Sequence, residues 1–217
     1  MSIKIDLLIA LFIILFCITS QIEIYLILLL FVAIHEIGHL IVGLLLGFKP
    51  RELQINIAGV RIEFEPKIEE YNKKVLKGSS LCIKRAIVAM AGPITNFLII
   101  AVMQFLSMLN PNFILSDMCV KVVYANFLIG IFNLIPIYPL DGGRILKELL
   151  HIVKGLKKSY IYTYKMSKVT IITLTAISSI IILYIRNFAV VIILMYLWCL
   201  FFWERKRYKR VRELYKN

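Results

Sequence analysis

His35, Glu36 and His39 are the only acidic or basic residues between Glu23 and Lys49, and they spell His-Glu-x-x-His. On a helix the two histidines stand about 40° apart around the axis, so both imidazoles face one way. Glu36 lies about 100° from His35, at the edge of that arc. Histidines at i and i+4 can hold one Zn²⁺, with the glutamate placed as general base toward an activated water. Zinc brings the pKa of such a water down to about 7, so hydroxide is available at neutral pH. The surrounding stretch, 22–48, is apolar and long enough to cross a bilayer. The bland alternative is a span with two core histidines and a buried acid. Without a partner, each charge at that depth costs about 3 kcal/mol or more.

A hydrolytic zinc site takes three protein ligands and leaves one position open. Only one other acid lies inside or against an apolar run, Asp141 in Asn133-Leu-Ile-Pro-Ile-Tyr-Pro-Leu-Asp-Gly-Gly-Arg144. Pro136 and Pro139 forbid a continuous helix there, and Gly142-Gly143 offers unusual backbone angles after the acid. Irregular backbone at membrane depth is tolerated where protein covers it or where it lines an aqueous cavity. Such a cavity suits a site that must admit water and an unwound peptide. The third histidine, His151, sits in a Lys-rich segment and reads as an exposed helical residue.

These residues need elements to carry them. The chain has 217 residues, is 60% hydrophobic and has a mean hydropathy of +0.84, which excludes an ordinary soluble domain. Six apolar spans are expected, at about 5–20, 22–48, 83–108, 115–136, 167–185 and 187–203. The first has only Lys4 before it and no small-x-small cleavage pattern after it, so it reads as a retained span. The fold class expected is an all-α polytopic membrane protein with a small β-hairpin between spans 2 and 3. Residues 1–203 would form the membrane domain and 204–217 a basic tail.

A net charge of +13 would suggest nucleic acid in a soluble protein, but here its distribution sets orientation. Six spans place 24 of the 26 Lys and Arg residues on one side, which the positive-inside rule makes cytoplasmic. Both termini then face the cytoplasm, the partner is the lipid bilayer, and nucleic acid is not expected. Trp203, before the basic run 204–210, reads as an interfacial anchor.

The segment 49–82 holds the hairpin. Leu53–Ile57 and Val60–Phe64 alternate apolar and polar residues, with Ala58-Gly59 as the turn. Its edge could pair with an extended substrate. Residues 67–80 read as polar and exposed. Cys17, Cys82, Cys119 and Cys199 are far apart and read as packing residues.

Three motifs together, His35-Glu-Ile-Gly-His39, Gly92-Pro-Ile-Thr-Asn96 and Asn133-x-x-Pro136-x-x-Pro139-x-Asp141-Gly142, resemble the site-2 protease family of intramembrane zinc metalloproteases. The resemblance covers nearly the whole chain. It implies that His35, His39 and Asp141 bind one zinc per chain and that Glu36 activates water. It implies that Asn133 contacts substrate or helps stabilise the oxyanion. Asn96 is a substrate-binding candidate or a hydrogen-bonded packing residue. The six-span layout is similar to the branch that processes pro-sigma-K in endospore formers. That likeness implies a forespore-surrounding membrane and inhibitory membrane proteins as partners. About 14 residues follow the last span, so nucleotide sensing by a CBS domain is not expected, nor is a PDZ insertion. The rival class is a non-proteolytic zinc-binding membrane protein, either a transporter or a client-binding pseudo-protease. A transporter would spread polar residues over several spans, and a pseudo-protease would have lost Glu36 or a ligand.

Overall fold

The computed structural model describes residues 2–5, 22–56, 59–64, 74–109, 117–185 and 188–214. In chain order these form β1 (Ser2–Ile5), α1 (Ile22–Leu45), β2 (Pro50–Asn56), β3 (Gly59–Phe64), α2 (Lys74–Leu109) and α3 (Asp117–Asn133). Then follow α4 (Asp141–Lys154), α5 (Leu156–Ile185) and α6 (Phe188–Leu214). The chain divides into two compact units, 1–73 with 87–133, and 74–86 with 134–217. The expected first span lies outside the described residues except for Ile5, and the Trp203 side chain lies outside them too.

In the first unit, α1 separates two faces. Leu26, Leu30, Ile37, Ile41 and Leu44 are exposed and fall within about 60° of one another around the axis. His35 and His39 are buried about 150° or more from the centre of that stripe. One face therefore suits lipid and the other suits protein. The helix ends at Gly47, whose φ is 78°. The Gly47 N–H donates to Leu44 O and the Phe48 N–H to Gly43 O, both at 2.9 Å, closing a Schellman turn. Few residues other than glycine take that φ without strain, and the turn feeds the chain directly into β2.

The hairpin is there, one residue earlier than expected. Asn56 pairs with Gly59, so the residues between the strands are 57 and 58, which lie outside the described set. The glycine opens β3 instead of serving the turn. Leu53 pairs with Ile62 and Ile55 with Val60, so the apolar positions share one face. A bulge at Arg51 shifts the register between Pro50 and Glu52. The sequence reading missed β1, which pairs parallel to β2 from Ser2↔Glu52 to Ile5↔Ile55, giving sheet order β1-β2-β3. The third strand answers the weakness of a lone hairpin in water. Phe64 anchors the sheet to α1, because its ring occupies the space that a Cβ on Gly43 would need.

α2 is longer than the span expected within it. Its 36 residues reach about 54 Å, well beyond a hydrocarbon core of about 30 Å. Residues 74–79, expected to be exposed coil, are its first turns. α3 packs closely on α2 at Gly130, where a Cβ would stand 3.3 Å from the Phe97 ring. Lys121 of α3 is 3.0 Å from Glu23 at the start of α1 and 2.6 Å from Asp117. Among the described residues two helices, over Leu26–Leu45 and Ser80–Leu109, are long and apolar enough to cross a membrane.

The second unit is organised by the loop 134–140. Ser167 of α5, fully buried, donates to Pro136 O and accepts from the Tyr138 N–H, both at 3.3 Å. The loop doubles back over the start of α4. A Cβ on Gly142 would lie 2.1 Å from Leu134 O, and one on Gly143 would lie 2.4 Å from Tyr138 N. The expectation of unusual angles at these glycines is corrected. Both are ordinary helical residues, and their role is to let two backbones touch. α6 runs on through the basic tail, and Tyr208 stacks on Tyr164 of α5 at 4.4 Å between ring centroids. That segment is therefore packed helix at least as far as Tyr208.

Candidate metal centre

His35 and His39 project from α1 with their Nε2 atoms 3.1 Å apart and their rings at 87° to each other. Two nitrogens each about 2.05 Å from one tetrahedral metal would be about 3.3 Å apart. The observed spacing fits a shared ion. Both rings are almost fully buried, and both Nε2 atoms border the space beside Gly92 of α2. A Cβ at Gly92 would sit 2.4 Å from one Nε2 and 2.5 Å from the other. Glycine at 92 therefore leaves room for whatever the two nitrogens hold.

The far nitrogen of each ring is engaged, which decides the protonation pattern. His39 Nδ1 is 2.6 Å from Val88 O. The Gly92 N–H also points at Nδ1, at a longer 3.3 Å, but the close partner is a carbonyl, which only accepts, so Nδ1 carries the proton and Nε2 keeps its lone pair. For His35 the same conclusion comes through a relay. Asn126 Nδ2 donates to Val122 O at 2.9 Å, which turns Asn126 Oδ1 toward Asn96. Asn96 Nδ2 donates to that oxygen at 2.8 Å, which turns Asn96 Oδ1 toward His35 Nδ1, 2.5 Å away. His35 Nδ1 must then donate, and its Nε2 keeps a lone pair that could bind a metal. Such outer hydrogen bonds orient metal-binding histidines and fix their tautomer. Asn126, which the sequence reading did not single out, is fully buried and closes the relay.

Glu36 is half-buried beside this pair on α1. Asn96 is fully buried, and its described partners are His35 and Asn126. Asn133, at the end of α3, is half-buried and its Nδ2 donates to Ile129 O at 3.1 Å. In the second unit Asp141 is buried at the first turn of α4, where the helix dipole favours a carboxylate. Its Oδ1 is 3.6 Å from Arg144 Nη1.

His151 departs from the exposed residue expected. It is only partly exposed, and its Nδ1 is 3.1 Å from Cys82 Sγ. Burial pushes its pKa below the ordinary histidine value, with the Glu148 carboxylate pulling the other way.

Comparison with known proteins adds to this geometry. A solved site-2 protease from Methanocaldococcus jannaschii superposes with a TM-score of 0.65, covering 93% of this chain and 89% of that one at 21% identity. The fold is that of a site-2 protease. The Peptidase family M50 pattern matches residues 110–177, which include the Asn133–Gly142 motif. A zinc metalloprotease of the same archaeon is 32% identical over 130 residues, 59% of this chain. The chain spans 34% of the length of that relative. The resemblance to site-2 proteases, first drawn from three short motifs, holds.

Proposed function

We propose that this protein is an intramembrane zinc metalloprotease, with His35, His39 and Asp141 as ligands and Glu36 as general base. The observation that carries the proposal is the pair of buried Nε2 lone pairs, converging beside Gly92 with Glu36 adjacent. Asp141 as third ligand is supported by its place in the Asn133–Gly142 motif and by the burial of its carboxylate. When bound, zinc supplies the Lewis acid that polarises a scissile carbonyl and lowers the pKa of water. Glu36 takes one proton from the attacking water, whose oxygen bonds to the carbonyl carbon. As the C–N bond breaks, Glu36 returns that proton to the leaving amine, and it ends the cycle ionised. Asn133, where α3 gives way to the proline loop, contacts the substrate backbone.

The substrate is a membrane-associated or membrane-spanning peptide that unwinds and presents an extended backbone. The outer edge of β3 is the strand edge offered to it. The charge asymmetry supports a cell-membrane protein with cytoplasmic termini and about six spans. A pro-sigma-K-type substrate in a bacterial forespore-surrounding membrane, held in check by inhibitory membrane proteins, is the specific reading, carried by the span layout.

Glu36→Gln in membranes containing a co-expressed substrate tests the proposal. Cleavage should fall about 10²–10⁴-fold while zinc content stays unchanged. Cleavage at the normal rate would overturn the assignment. Asp141→Asn should weaken zinc binding in the purified protein, and unchanged affinity would reject it as a ligand.

A further inference from the structure

The second unit holds a second group of metal-ligand types. Cys82, from the early turns of α2, meets Glu148 and His151 of α4, each offering a ligand atom, with all three atoms within 4.8 Å of one another. Glu148 and His151 are three residues apart, the Glu-x-x-His spacing that puts a carboxylate and an imidazole on one helix face. Cys82 Sγ is 3.1 Å from His151 Nδ1, and Glu148 Oε2 is 3.8 Å from the same nitrogen. We infer that Cys82, Glu148 and His151 form a second divalent-cation site, suited to zinc.

The argument turns on Glu148. A plain thiol–imidazole hydrogen bond would occupy Cys82 and His151 and leave Glu148 Oε2 no closer than 3.8 Å to the imidazole. Glu148 is more than nine-tenths buried, and its Oε2 has no hydrogen-bond partner among the described residues. The other oxygen, Oε1, is 3.7 Å from Lys147 Nζ. A buried carboxylate oxygen with no hydrogen bond, its imidazole neighbour standing 3.8 Å away, is costly, and a cation on Oε2 removes that cost while using the thiol and the imidazole as well. Thiolate, imidazole and carboxylate together favour zinc over the hard cations, with three protein ligands. Tetrahedral coordination would open the sulfur–nitrogen distance by about half an ångström and close the nitrogen–oxygen distance by a similar amount. On binding, the Cys82 S–H bond breaks, the sulfur bonds to the cation, and the proton leaves to water. The bound ion pins the early turns of α2 to α4, the helix that begins at Asp141.

Cobalt(II) tests this independently of the histidine pair on α1, because a thiolate–cobalt charge-transfer band reports a cysteine ligand. Full-length protein in detergent, stripped of metal, is titrated with Co²⁺. The wild type should bind two equivalents per chain and develop the band. Cys82→Ser should lose the band and one equivalent. Glu148→Gln, which keeps shape, should raise the cobalt concentration needed for the band while leaving the helical circular dichroism unchanged. The double variant His35→Asn, His39→Asn should keep the band. A wild type that shows no thiolate band, or a band that survives in folded Cys82→Ser, would overturn the inference.

Discussion

Each histidine of the α1 pair holds its proton on Nδ1, the nitrogen hydrogen-bonded to α2, and this is achieved by backbone carbonyls. For His39 the contact is direct, to Val88 O, and for His35 it passes through Asn96 and Asn126 to Val122 O. Asn126→Leu should leave the buried Asn96 amide without its acceptor, at a cost of about 1–3 kcal/mol. It also frees Asn96 to rotate and present its NH₂ to His35, which moves the imidazole proton to the ligand nitrogen. Zinc affinity should fall about 10–100-fold, the scale on which such outer hydrogen bonds act. Nitrogen NMR of the metal-free protein should show His35 shifting toward the Nε2–H tautomer. An unchanged tautomer would mean that the relay does not control it. Sequence alone made His35, Glu36 and His39 legible, since their type and spacing carry their chemistry. Asn126 was not legible, because nothing along the chain says which helix its amide will face. A lone asparagine inside an apolar run was the available signal. Cys82 and His151, 69 residues apart, were hidden for the same reason.

At the level of elements, glycines decide how closely segments approach. Gly142 and Gly155 separate two reasons for a glycine. At Gly142 a Cβ would run into the Leu134 carbonyl, while at Gly155 φ is +77° and nothing lies within 4 Å. Gly155 combines φ 77° with ψ 167°, a region open essentially to glycine alone, so Gly155→Ala should cost about 1–3 kcal/mol from backbone strain. Gly142→Ala should cost more, because the loop 134–140 must move bodily to admit the methyl group, and overpacking of this kind costs about 1–3 kcal/mol on top of local distortion. Thermal unfolding of the metal-free protein should therefore order the melting temperatures wild type, Gly155→Ala, Gly142→Ala. The opposite order would deny the close contact. α1, most of α2, α3 and the later part of α5 were readable from long apolar runs, whereas α4, which mixes charged and apolar residues, matched none of the expected spans. β1 was not, because four residues before an apolar run carry no period, and their partner strand lies about 50 residues away.

For the molecule as a whole, charge is the organising quantity. The expected spans put all but two of the Lys and Arg residues on one side, so reversing the orientation would carry dozens of polar and charged groups through lipid. A cysteine added after Asn217 should resist a membrane-impermeant thiol reagent in intact cells and react after lysis. Labelling in intact cells would reverse the proposed topology. Removing metal with a chelator should abolish proteolysis, and adding zinc back should restore it. An enzyme indifferent to the chelator would not be the metalloprotease proposed.

Both imidazole protons are seated on α2, one at Val88 and one at Asn96, eight residues along the same helix. The rings themselves hang from α1. Any slide or roll of α2 along α1 therefore pulls on both protons at once and changes the electron density each ring can lend to a cation. In mechanical terms the proposed metal centre would act as a strain gauge bonded across two helices. A force applied far along α2 would register as a change in metal affinity, without any ligand being touched.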